Sequence, residues 1–151
     1  MIPIILRIAL IAGTLDIAEN IIFNAFGHIT AVQIFKYIAS GLIGPSAFRA
    51  GAASVVLGIL IHYAIALFWT SVYIAASHRL PLLIARPILC GLIYGAIVYL
   101  AMNFIVLPLT RVPHATSAMA LASRISGILA ILVCIGLTIA LLTARAATAE
   151  Q

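Results

Sequence analysis

Asp16, Asn20 and Asn24 recur every fourth residue, and Glu19 stands three after Asp16. On a helix that spacing puts the first three on one face and sets Glu19 beside them. Gly13 and Ala9 continue the same face toward the N-terminus. Two carboxylates and two amides grouped in this way can hold a proton, a cation or a hydrogen-bonding solute. They lie inside an apolar run of residues 2–26. A carboxylate near a bilayer centre costs a few kcal/mol or more and normally faces the bundle interior or a water cavity. Its partners must therefore come from other segments. The middles of those segments offer His62, then Tyr99 and Asn103, then Cys134 and Thr138.

Asp16 and His62 are the leading pair. A carboxylate beside an imidazole favours the imidazolium, burial opposes it, and the balance suits a proton relay or switch near neutral pH. The same two groups suit a purely structural role, locking helix register by a hydrogen bond. Asp16, Glu19 and His62 also have the chemistry of three metal ligands, although no tight ligand motif is present and the metal identity is unknown. A haem held between helices needs two facing histidines, whereas His28, His78 and His114 fall at loops or helix ends. No cofactor is expected. Cys90 and Cys134 are offset by about 10 Å along their helices, too far for a disulfide, and each serves as a small apolar residue. Arg7 lies about 13 Å from Asp16 along the axis and snorkels to the interface. No catalytic triad, phosphate loop or zinc spacing occurs, and the reading is non-enzymatic.

The elements that must position these groups follow from composition. The chain has 151 residues, 66% hydrophobic and 7% charged, with a mean hydropathy of +1.31. Soluble domains carry about 25% charged residues, so this is an all-α integral membrane protein. Its length suits a single membrane domain over residues 1–151. Four transmembrane helices are expected at about residues 3–26, 50–77, 88–107 and 118–143, with a frayed tail from Ala144. Between the first two, residues 30–43 carry Ile34, Phe35, Ile38 and Leu42 on one side and Gln33, Lys36, Tyr37 and Ser40 on the other. That is an amphipathic interfacial helix, too short and polar to span. Gly13, Gly58, Gly91, Gly95 and Gly127 lie on small-residue faces suited to close helix packing.

The net charge of +5 comes from basic residues scattered at helix ends, which anchor in the lipid bilayer; a nucleic-acid partner would need a clustered basic face. Arg7, Arg79, Arg86 and Arg145 share one side, and Lys36, Arg49, Arg111 and Arg124 the other. The short loop holding Arg79 and Arg86 tips the termini toward the cytoplasm, because short loops weigh most.

The order Gly13-Thr14-Leu15-Asp16-Ile17, Ile38-Ala39-Ser40-Gly41-Leu42-Ile43-Gly44 and Ala47-Phe48, followed by His62, Tyr94-Gly95, Tyr99, Met102-Asn103 and Pro108-Leu109, resembles a family of small uncharacterised bacterial four-helix inner-membrane proteins. The resemblance implies a bacterial inner membrane and a four-helix fold, and adds no activity.

The functional expectation is a polar intramembrane centre of Asp16, Glu19, Asn20, His62, Tyr99 and Asn103 that moves or senses protons, cations or a small solute. Four short helices enclose little volume, so a homo-oligomer or a larger membrane complex is expected. The rivals are an accessory or scaffold subunit and a membrane metal or redox component.

Overall fold

The computed structural model describes residues 2–112 and 121–149, with the side chains of residues 121–124 outside that description. The expected start of the last span at residue 118, and the loop residues Pro113 and His114, lie outside the described residues. Every regular element among the described residues is helical.

Helix α1 covers Ile2–Ala25. It ends in a left-handed cap: His28 has φ 61°, and the Ile29 amide donates to the Asn24 carbonyl at 3.1 Å. Helix α2, Ala31–Ile43, starts with a capping box in which Thr30 and Gln33 satisfy each other's amides. A 3-10 turn over Gly44–Phe48 carries the chain into α3, Gly51–Ser77. The loop between Pro81 and Pro87 contains a single helical turn, α4, Leu82–Ala85. Helix α5 runs over Pro87–Leu109, and α6 is α-helical over Leu121–Ala130 and Thr138–Ala149.

Three helices are long and apolar enough to cross a membrane: α3, α5 and the Ile125–Ala149 part of α6. The chain is therefore a membrane protein. Four spans were expected, and α1 is not among the three. It has the length, at 24 residues, but it carries Arg7, Asp16, Glu19, Asn20 and Asn24.

Two spans depart from ideal geometry. Met102–Val106 of α5 is π-helical, and the Leu107 amide donates to the Met102 carbonyl. Pro108 supplies the cause, since it has no N–H and its ring clashes with the preceding turn. The helix widens and continues to Leu109, where Pro108 was expected to stop it. Ile131–Leu137 of α6 is the second π segment, and it lies where Gly91, Gly95 and Gly136 meet. The frayed tail expected from Ala144 is instead helical to Ala149. Ala144, Ala146, Ala147 and Ala149 have the highest helix propensity of any residue type.

α1 packs against α3 on one side and α6 on the other, α2 lies on α3, and α5 pairs with α6. The α5–α6 contact is backbone-close: a Cβ on Gly95 would stand 2.7 Å from the Leu132 Cα, and one on Gly136 would collide with Gly91 and Gly95. Gly136 was not singled out from the sequence. Gly127 was, yet a Cβ there would meet only open space. The packed core joins Ile8 and Ala12 of α1, Tyr73 and Ile74 of α3, Val98 of α5, and Ile135, Ile139 and Ala140 of α6. It fills the end of the bundle that holds the start of α1. The other end is held apart, and α2 covers it.

Candidate functional site

The site is built at the crossing of α1 and α3. Gly13 lets these helices approach closely: a Cβ there would stand 3.1 Å from the Ala66 Cβ and 3.2 Å from the Tyr63 ring. At this crossing His62 Nε2 lies 2.8 Å from the Gly13 carbonyl oxygen. A carbonyl only accepts, so Nε2 carries the proton. One residue on in each helix, the Thr14 and Tyr63 hydroxyls share a hydrogen bond of 2.9 Å.

Asp16, Ile17 and Asn20 of α1 then line a cavity of about 480 Å³. His62, Ala66 and Trp69 of α3 continue its wall, Val98, Met102 and Val106 of α5 close a second side, and Ile131 and Ile135 of α6 a third. Tyr37 and Gly41 of α2, with Thr110 and Val112 after α5, line it at the α2 end. A backbone strap fixes that end: the Arg111 amide donates to the Gly41 carbonyl at 2.9 Å. The volume exceeds what four short helices were expected to enclose, because α2 and the strap supply a wall of their own.

Val98 and Ile135 belong to both the cavity lining and the packed core, so they form the floor. Beside them an aromatic set bridges α3 and α5. The Tyr94 hydroxyl donates to the Trp69 carbonyl at 2.6 Å, and the Tyr94 ring meets Tyr73 edge-to-face at 4.9 Å. Tyr73 in turn donates to the Leu83 carbonyl at 3.1 Å. Such edge-to-face pairs add about 0.5–1.5 kcal/mol each beyond their burial.

The remaining polar groups fall into three settings. Asp16, Asn20 and His62 share the cavity wall. Glu19 turns toward α6, where Ser126 Oγ donates to its Oε1 at 2.5 Å. Tyr99 and Asn103 do not line the cavity; Asn103 Nδ2 donates to the Tyr99 carbonyl at 2.9 Å within α5. Asn24 likewise turns back on its own helix, donating to the Asn20 carbonyl at 2.8 Å and to Oδ1 at 3.2 Å. Among the described residues no group of three His, Cys, Asp or Glu side chains is placed to hold a metal ion. Cys90 and Cys134 are free thiols.

Sequence reasoning missed Tyr37, Thr110 and Ser126 and left Trp69 ambiguous. Tyr37 sits on the polar side of the amphipathic α2 and, although 47% exposed, borders the cavity. Burial pushes the Tyr37 hydroxyl above the ordinary tyrosine pKa, so at neutral pH it is a neutral donor at the α2 end of the cavity. Chemically, the arrangement is a mainly aliphatic and aromatic chamber with one carboxylate, one amide and one imidazole on a single wall. Compared with known proteins, the chain matches no family model, no curated protein and no solved structure.

Proposed function

We propose that α1 is a fourth transmembrane span and that the protein admits a small solute to an intramembrane chamber, where Asp16 exchanges a proton or cation. The observation that supports this reading is the position of Asp16 on the wall of a cavity of about 480 Å³, with His62 and Asn20 on the same wall. A carboxylate inside a bilayer is costly unless it faces protein or water, and the chamber gives it such a place. Pockets of roughly 300–1,000 Å³ accommodate small organic ligands. In this reading α2 lies in the membrane interface above the chamber. The membrane is the inner membrane of a bacterium, and the termini are cytoplasmic, as the short arginine-bearing loop between α3 and α5 favours. The protein works as a homo-oligomer or within a larger membrane complex.

A second reading, a scaffold subunit, draws on a different set of contacts. His62 to Gly13, Thr14 to Tyr63 and Ser126 to Glu19 each tie one helix to another. One experiment separates the two. Purified protein is reconstituted in liposomes, and proton and monovalent-cation flux is recorded for wild type, Asp16→Asn and His62→Gln. The proposed activity requires flux in wild type that Asp16→Asn abolishes while the melting temperature stays within a few degrees. No flux in wild type, together with a loss of thermal stability in both variants, supports the scaffold instead.

A further inference from the structure

We infer that the chamber takes an organic monocation, its ammonium head against Asp16 and its apolar body against Trp69 and the aliphatic floor. This rests on the reading of the cavity as a solute chamber and specifies the solute's chemistry. Three observations carry it.

The first is charge. Asp16 is the acidic side chain on the cavity wall, and neither lysine nor arginine lines the cavity among the described residues. An anion would meet a carboxylate and no fixed positive charge. The other polar groups nearby are engaged elsewhere. Glu19, on the same helix, is turned to Ser126 of α6. His62 of α3 directs its Nε2–H to the Gly13 carbonyl. Tyr37 of α2 is a neutral phenol, and the lining contributed by α5 and α6 is Val98, Met102, Val106, Leu107, Ile131 and Ile135.

The second is the lining's lack of oxygen donors. A bare calcium or magnesium ion needs about six or more oxygen ligands, whereas this wall offers one carboxylate, one amide and the hydroxyls of Tyr37 and Thr110 amid aliphatic side chains. A cation that carries its own apolar body needs no such shell, and burial of that body is favourable at about 25 cal/mol per Å².

The third is the aromatic end. Trp69 and Tyr37 both line the cavity, and ring faces attract alkylammonium groups. Seven residues separate His62 from Trp69 on α3, about 10 Å of helix. An apolar body extending from a head near the His62 level therefore runs along α3 toward Trp69.

The test uses the full-length protein in neutral detergent micelles and the emission of Trp69, the chain's single tryptophan. Three probes of matched shape are titrated: benzyltrimethylammonium, its neutral isostere neopentylbenzene, and benzylsulfonate. Free N-acetyltryptophanamide in empty micelles is the blank. The expected result is saturable quenching by the cation with a Kd at least tenfold below that of the neutral isostere, and none by the anion. Asp16→Asn brings the cation's Kd to the neutral level, while Asp16→Glu keeps a preference of several-fold. Equal binding of the cation and its neutral isostere, in a protein whose melting is unchanged, overturns the cation assignment and leaves the solute chamber standing. Absence of saturable binding by all three overturns both. If Asp16→Asn fails to fold, the comparison of the three probes on wild type and Asp16→Glu decides the same question.

Discussion

His62 of α3 donates its Nε2 proton to the Gly13 carbonyl of α1 across 2.8 Å, one turn before Asp16. A side chain from one helix thus bonds to the backbone of another, at the point where a glycine allows the two to touch. His62 and Asp16 share a cavity wall without His62 directing that proton to the carboxylate.

Removing this tie is measurable. His62→Leu leaves the crossing without its hydrogen bond and is expected to cost about 0.6–1.5 kcal/mol, the range for such bonds in membrane and soluble proteins. His62→Gln keeps a donor of similar reach and should recover part of the loss. Thermal unfolding of the purified variants in one detergent reads the difference.

The glycines give a sharper contrast. A Cβ on Gly58 would overlap the Phe35 backbone of α2, which cannot swing aside as a side chain tip does. Gly58→Ala should destabilise by about 1–3 kcal/mol or lift α2 from α3, as overpacking does. Gly136→Ala should separate α5 from α6 to a similar extent. Gly127→Ala meets open space and should be neutral or slightly stabilising, since alanine favours helix by about 1 kcal/mol over glycine. Melting temperatures, and the labelling of a single cysteine introduced on α2, check the ranking.

Glu19 depends on a residue 107 positions away. Ser126→Ala deprives its carboxyl of the hydroxyl donor, and an unsatisfied polar group of this kind costs about 1–3 kcal/mol. Glu19→Gln retains an oxygen acceptor for Ser126 and should be milder. If both variants melt together with wild type, the α1–α6 tie contributes nothing.

The floor can be followed optically. Tyr94→Phe keeps the edge-to-face contact with Tyr73 and removes the hydroxyl donor to the Trp69 carbonyl. The expected effect is a loss of about 0.5–1.5 kcal/mol and a shift in Trp69 emission. An unchanged spectrum argues that the hydroxyl does not hold the Trp69 turn in place.

The helical elements were readable because their signals are local. The interfacial helix shows in its own alternation of faces, and the spans in their length and apolarity. Asp16, Asn20 and His62 reach one wall because each lies on a face that its helix can turn only one way. Helix α5 resists that logic. Gly91 and Gly95 press against α6, while Val98, Met102 and Val106 line the cavity. Tyr99 and Asn103 extend the glycine stripe at four-residue steps, yet they take neither place. Asn103 finds its acceptor on its own helix, so polarity there does not demand a partner. Ser126 was hidden for another reason: its contact with Glu19 joins distant parts of the chain, and no periodicity within α6 marks a serine that will meet a carboxylate. The π segment before Pro108 also rotates the end of α5 relative to a regular helix, which a straight count of residues cannot follow.

Helix α5 finds its main mate in α6, which follows it in the chain, and reaches α3 chiefly through aromatic side chains. A nascent polypeptide that has emerged only through Val112 would hold α1, α2 and α3 in contact while α5 waited without a companion in the lipid. Completion of the chamber therefore waits for α6, which on insertion clasps α1 and α5. Stalled or shortened chains ending before Ile125 should accordingly be the preferred prey of membrane quality-control proteases.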